Sequence, residues 1–429
     1  MMPSSDPALE QAFEYLFPLY EMARTRYNLI ESPRNPGRLP PGRFQHRRLL
    51  ADHRSRAVTT PNNDTLYSST WLDLSCTTVM LSVPEIEDRY WSVAMIDVFT
   101  NNFAMLGCRL DEEGPLRVLL VGPAWQGNEP ADARVIRAPS NDVWLLGRWL
   151  IDDANDAPAV HELQNAMRIE IRALDREPHP QRIAVGLSSD PANFLAVVNE
   201  MLGRNPVPAA EAPMLAQWSS LGVRPGATDA WETLSPDIQA RWIAGIEAAH
   251  QPLQAGLSSG ARRIGGWAFP PAALGNYGTD YRLRAAVALG GLAALEPVEC
   301  LYLSRDEAAD GQPLDGSHSY RMRVPAGGLP NDGFWSLSMY EVLADGRCFF
   351  VENPIGRYAV GDRSRGLVRN DDGTMDLWIA RERPAAADPR AANWLPAPTG
   401  RFRLTLRAYL ARPALLDGTA ALPTLEQVD

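Results

Sequence analysis

Two short stretches of the chain hold most of the side chains able to do chemistry. The first, Thr60 to Trp71 (TPNNDTLYSSTW), sets Asn62, Asp64, Thr65 and Tyr67 within a few positions of one another. An amide, a carboxylate and a phenol so close together can hold a polar ligand and move a proton, with Asp64 as general base and Tyr67 as acid or hydrogen-bond donor. Pro-Asn-Asn-Asp is equally turn chemistry, in which short polar side chains bond their own backbone, and Tyr67 and Trp71 also suit a core. The second stretch, Asp88 to Phe103, carries Arg89, Tyr90, Asp97, Asn101 and Asn102. In an extended strand Arg89, Trp91, Val93, Met95 and Asp97 share one face, and Tyr90, Ser92, Ala94 and Ile96 the other. A guanidinium and a second candidate base, Asp97, would then lie on an apolar face. Taking such charges out of water costs on the order of several kcal/mol unless they pair, so the face implies a structural ion pair or a binding site.

Arg148, in Leu-Leu-Gly-Arg-Trp-Leu-Ile, raises the same question. The planar fork of arginine fits a carboxylate or carbonyl oxygen, which makes Arg89 or Arg148, with Asn62 and Tyr90 beside them, the candidates for binding a substrate. Further along, Trp335, Tyr340, Arg357 and Tyr358 place aromatic and guanidinium groups next to turns and are binding candidates of the same kind. In Arg401 to Leu410, Arg401, Arg403, Thr405 and Arg407 alternate with Phe402, Leu404, Leu406 and Ala408. That pattern is a strand whose polar face, with three arginines, is most simply solvated.

Other chemistries are excluded or unsupported. All 41 basic residues are arginine. A chain without lysine cannot form a Schiff base, anchor pyridoxal phosphate or build a phosphate-loop lysine. There is no GxGxxG, GxxxxGK[ST] or HExxH, and the six histidines never fall at metal-ligand spacing. No redox or nucleotide cofactor is expected, and a metal held by carboxylates stays open. The net charge of −11 opposes binding to a phosphate backbone, and the one basic run, Arg43 to Arg56, reads as a solvated, largely helical face. Four scattered cysteines, no apolar run long enough to span a membrane and no leader pattern at the start lead us to expect a reduced, cytoplasmic protein with no membrane partner.

The elements that must carry these residues are legible from periodicity. With 429 residues and 45% hydrophobic content the chain exceeds one core. Residues 7–30 have the spacing of a leading amphipathic helix. From about 60 to 150 short β-type runs follow, at Val79–Val83, Arg89–Val98, Phe103–Cys108, Leu116–Val121 and Val143–Ile151. Ala157–Asp175, Pro191–Leu202, Pro208–Leu221, Pro236–Leu257 and Tyr281–Leu295 have helical spacing. Strand patterns return at Glu299–Ser304, Ser319–Val324, Phe334–Val342, Cys348–Glu352, Thr374–Arg383 and Arg401–Leu410. The expected division is a β-rich domain over 1–155, a mainly helical connection over 156–298, and a β-sandwich over 299–429.

The segments Thr60–Trp71, Asp88–Arg109, Val121–Trp125 and Val143–Ile151 resemble the domain of unknown function 1254. Phe334–Tyr340, Asn353–Arg365 and Asn393–Tyr409 resemble the domain of unknown function 1214. The resemblance implies a mixed, mainly β protein of two jelly-roll-like antiparallel sandwich domains joined by helices, in a homo-oligomer, and it brings no agreed mechanism. Many relatives begin with an export signal, which this start lacks. The family pattern falls on Asn62, Asp64, Thr65, Tyr67, Arg89, Tyr90 and Asp97, and on Trp335, Tyr340, Asn353, Arg357 and Tyr358. The expected function is an enzyme of hydrolase, isomerase or lyase type acting on a small polar or anionic molecule. The alternatives are a non-catalytic carbohydrate or small-molecule binding module and a structural oligomer.

Overall fold

Apolar side chains alternating with polar ones build two β-sandwiches in the computed structural model, which describes residues 6–110, 114–153, 155–256 and 261–428. In the N-terminal half the strands Gln45–His46, Thr65–Asp73, Asp142–Leu150, Trp91–Asp97 and Asn102–Gly107 form an antiparallel sheet in that spatial order. The face that carries Leu66, Trp91, Val93, Met95 and Trp149 packs on a second sheet built from Arg134–Arg137, Leu116–Val121, Thr77–Val83 and Arg168–Ala173. The last of these strands lies in a segment whose sequence reads as helix. The helix stops at Ala166, and Arg-Ile-Glu-Ile-Arg-Ala then alternates with a period of two and pairs with Thr77–Val83. The N-terminal sandwich thus takes a strand from beyond residue 155. Similarly, Arg43 to Arg56 contains no helix: Gln45 and His46 pair with Ser69 and Ser68, and Arg48 donates to the His161 carbonyl and Gln164.

The C-terminal half repeats the plan. One sheet runs Arg263–Ile264, Trp267–Ala268, Cys300–Arg305, Phe402–Tyr409, Trp335–Val342 and Cys348–Phe349, with Ala359–Gly361 also on Trp335–Val342. Its Leu301, Leu303, Leu337, Leu404 and Leu406 meet Tyr320, Met322, Leu377 and Ile379 of a smaller sheet, which closes the second sandwich. Asn370 to Gly373 turns the chain into Met375–Ala380.

Helices pack beside the contact between the sandwiches, in one cluster with Trp71, Ala94, Ile96 and Leu146 of the N-terminal sheet. Pro7–Arg26 starts on the side chain of Asp6, which accepts from the Leu9 amide at 3.3 Å, with Pro7 at the first turn. The helix read from sequence as amphipathic is a central one: Phe13, Leu16, Phe17, Leu19, Tyr20 and Ala23 are all fully buried, so apolar side chains surround it. It packs on Pro191–Arg204, Pro236–Gly256 and Tyr281–Gly290. The segments read as helix at Pro208–Leu221 and Tyr281–Leu295 are shorter, Ala212–Gln217 with a tight turn Ser219–Leu221, and Tyr281–Gly290, which ends at a pair of glycines. The C-terminal residue of the expected segment Pro236–Leu257 lies outside the described residues.

Candidate functional site

The face of each large sheet that points away from its own sandwich is turned toward the other domain. There the strand register aligns two equivalent rows of side chains. In the N-terminal sheet Tyr67, Arg148 and Ser92 sit directly opposite one another on three adjacent strands. In the C-terminal sheet Tyr302, Arg407 and Ser336 do the same. Cross-strand partners project to the same side, so each row presents a guanidinium flanked by a phenol and a hydroxyl.

Both arginines are buried, Arg148 at 4% and Arg407 at 3% exposure, and neither has a carboxylate within salt-bridge distance among the described residues. Arg148 donates from Nη2 to the Ala293 carbonyl at 2.8 Å and lies 5.4 Å from the ring centre of Tyr67. Arg407 donates to Ser338 Oγ at 2.9 Å and to the Thr60 carbonyl at 3.0 Å. Arg148 Nη1 and Arg407 Nε have no acceptor among the described residues. A buried charged donor without an acceptor is costly and calls for a reason.

The loop ahead of strand Thr65–Asp73 ties the two domains together. Asn62 accepts from the amides of Asp64 at 2.6 Å and Thr65 at 3.3 Å, the turn that its sequence allows, while its own amide donates to Tyr409 Oη at 2.7 Å. Tyr340 donates to the Pro61 carbonyl at 2.7 Å, and Ser336 to Asp64 Oδ2 at 2.6 Å. Burial pushes the Asp64 carboxyl above the usual carboxylate range, against the Arg407 charge and the Ser336 hydrogen bond. Asp64 therefore holds a proton more readily than a surface aspartate does.

Tyr90 donates to Glu299 Oε1 at 2.6 Å, and Arg109 donates to the other oxygen at 2.9 Å, which pairs that carboxylate. Burial raises the Glu299 carboxyl against both partners and lifts the phenols of Tyr90, Tyr302 and Tyr409 well above their ordinary value. Cys300, pushed up to about 12 by burial, is a neutral thiol despite the nearby charges of Arg407 and Arg148. Of the six row residues only Tyr67 and Tyr302 keep appreciable accessible surface, one from each sheet.

The structure brings Asn62, Asp64, Tyr67, Tyr90, Arg148 and Tyr340 to this interface and places the other candidates elsewhere. Arg89 precedes its strand and makes a two-pronged pair with Asp156 at 2.9 Å, so it does not meet Asp97. Asp97, at the far end of the same strand, accepts from the backbone and side-chain amides of Asn101. Trp335 belongs to the C-terminal core. Arg357 donates to the carbonyls of Ala392 and Trp394, and the Tyr358 hydroxyl meets His53 Nδ1 at 2.7 Å. Arg407, Tyr302, Tyr409, Ser336 and Ser92 were not singled out by sequence. The alternation in Arg401 to Leu410 marked a polar face, and that face is covered by the other domain instead of by water. Among the described residues no group of three or more His, Cys, Asp or Glu is placed to hold a metal.

Two stacked sandwiches with helices packed beside their contact and a polar, arginine-bearing interface define the architecture. Residues 41–171 match the family model described as Protein of unknown function (DUF1254), and residues 299–413 match Protein of unknown function (DUF1214). The chain is a two-domain protein of these families. Among solved structures it is similar to the VPA0106 protein from Vibrio parahaemolyticus, with a TM-score of 0.73, 25% identity and 99% of each chain covered. It also resembles an uncharacterised protein from Burkholderia cenocepacia at a TM-score of 0.46 and 14% identity, over 100% of this chain and 91% of that one. No curated protein matches the chain.

Proposed function

We propose that the domain interface binds a small carboxylate- or carbonyl-bearing molecule and moves a proton on it, in chemistry of the hydrolase, isomerase or lyase kind. The observation that carries this is the pair of buried guanidiniums on facing sheets, each with an N–H that no acceptor among the described residues takes up. Such donors hold oxygen anions, and they stabilise negative charge that builds on a carbonyl oxygen when a neighbouring proton is removed. Asp64, buried beside Arg407 with its proton affinity raised, has the environment of a general acid or base. Tyr67 and Tyr302 are the row members a ligand would pass. Trp335 and Trp394, tryptophans near turns of the kind on which a sugar-binding module would rely, are buried in the C-terminal half at 2% and 1% exposure. The four free cysteines support a reducing compartment such as the cytoplasm.

Proton exchange tests the reading directly. A panel of small 2-oxo acids and keto esters is incubated with the protein in deuterated water and followed by proton NMR. Loss of the signal next to the carbonyl for at least one compound is expected, and Asp64→Asn is expected to abolish it in a folded protein. Exchange unaltered by that substitution, or none with any compound, counts against the proposal.

A further inference from the structure

We propose that the chain pairs with a second copy of itself along strand Arg168–Ala173, which joins two four-stranded sheets into one. This strand is the edge of its sheet and pairs with Thr77–Val83 alone. Just beyond it the Leu174 amide donates to the Cys76 carbonyl at 2.8 Å. By alternation the backbone groups of Arg168, Glu170 and Arg172 also point to Thr77–Val83, and those of Ile169, Ile171 and Ala173 point outward, where no strand among the described residues receives them. The edge is open: every residue of it except Ile169 is exposed, Ile171 at 48%. Ile169 and Ile171 lie on the core side, opposite Leu81 and Val79, and Arg168, Glu170 and Arg172 lie on the outer side. None of these three charged groups takes part in an ion pair or side-chain hydrogen bond among the described residues. Exposed edges are ordinarily blunted by repelling charge, by proline or by a covering loop.

The charges select both the partner and the register. Two copies related by a two-fold axis at Ile171 bring Ile171 opposite Ile171 and Ile169 opposite Ala173, the positions whose outward amides and carbonyls exchange hydrogen bonds. Glu170 of each copy then faces Arg172 of the other at the closer positions between those bonds, so two opposite-charge pairs form at once. Moving the axis to Glu170 sets Glu170 against itself and Arg168 against Arg172, which repels. Moving it to Ile169 keeps an attraction between Arg168 and Glu170 but sets Arg172 opposite Ala166, the end of a helix, so only Arg168–Glu170 of each strand can pair. The opposite edge of the same sheet, Arg134–Arg137, has an arginine at each end and no acid, so a second copy there is repelled. Pairing at Ile171 also covers two exposed isoleucine side chains with each other.

Sedimentation of the full chain over a dilution series tests the pairing. A reversible dimer is expected for the wild type. Glu170→Arg and Arg172→Glu each set like charges opposite one another at both positions and should weaken the dimer about tenfold or more. Circular dichroism should be unchanged, because both side chains are exposed and unpaired within the chain. The two variants mixed should form a mixed dimer about as tight as the wild type, since two arginines then face two glutamates. The double variant Glu170→Arg/Arg172→Glu should dimerise with itself, which the register centred on Ile169 does not allow. A wild type that is monomeric at every concentration overturns the proposal, as does a dimer that neither single variant weakens. Weakening that neither mixing nor the double variant restores assigns the contact to another register or surface and overturns it too.

Discussion

Arg148 and Arg407 each donate to the carbonyl of a residue whose backbone is held left-handed, Ala293 at φ +65° and Thr60 at φ +48°. Neither is a glycine, and Thr60 is β-branched, for which this region is a true outlier. The strain turns each carbonyl toward a buried guanidinium, and strain of this kind collects at working sites. Replacing Thr60 by glycine keeps the carbonyl and removes the clash. Thr60→Gly should raise the stability of the fold by about 1 kcal/mol, less a few tenths for the freer unfolded chain. Urea denaturation measures it, and a clear loss of stability would show that the side chain is held by contacts stronger than its strain.

A second arginine cluster has a purely structural design. Asp142 begins the central strand of the N-terminal sheet and accepts from Arg204 Nε at 2.9 Å and Nη2 at 2.6 Å and from Asn205 at 2.9 Å, with Arg26 at 3.1 Å. Burial works against its charge, but Arg26 and Arg204 together hold the carboxyl down at about 2. These contacts pin two helices to the sheet. Asp142→Asn removes the nearest anion from two buried cations, leaving Arg26 only Glu31 at 3.7 Å and Arg204 only Asp73 at 3.5 Å, and should cost about 3 kcal/mol. Because the native carboxyl titrates below the unfolded one, its stabilisation is present above the unfolded value and is lost as pH falls from about 4 toward 2. The acid limb of the wild-type stability profile should therefore be steeper than that of the variant.

How far the sequence foretells this arrangement depends on the range of the interaction that decides each feature. Strands such as Leu116–Val121 are set by local alternation and fall where the pattern puts them. Strand Arg168–Ala173 carries an equally clear period of two, and it was hidden because the helix before it runs almost without interruption into it. The site is harder. Tyr67 and Arg148 become neighbours only through the register of two strands far apart in sequence, and Arg407 looks like a solvated residue until a second domain covers its face. Arg89 and Asp97 share parity in the sequence, but Arg89 lies before the strand begins, where it is free to turn to Asp156. Residue type located half of the interface, and pairing between distant segments supplied the other half.

Asp97 provides a pH signature separate from the interface. Burial pushes its carboxyl up to about 6, against the hydrogen bonds of Asn101 and the charge of Arg284. The native state thus holds this proton more tightly than the unfolded chain, where aspartate titrates near 3.9. Its favourable contribution is complete below the unfolded value and declines as pH rises from about 4 to about 6, by on the order of 2 kcal/mol. Denaturant titrations across that interval should show the decline in the wild type and its absence in Asp97→Asn. Parallel profiles for the two proteins would place the titration on another group.

Asp64 links stability and chemistry in one residue. Its carboxyl is buried and raised, so ionising it costs the native state more than the unfolded chain, and stability contributed by the protonated form is lost as pH rises through the raised value. Asparagine has nearly the same shape, keeps an oxygen to accept from Ser336, and never ionises. Above the raised value Asp64→Asn should be at least as stable as the wild type, while any proton-transfer activity should fall by about 100-fold or more. Stability from urea denaturation and rate from deuterium exchange are measured on the same preparation. A variant that is both less stable and fully active would mean that the carboxylate serves only to hold the loop against Ser336, and the assignment of Asp64 as the acid-base group would fail.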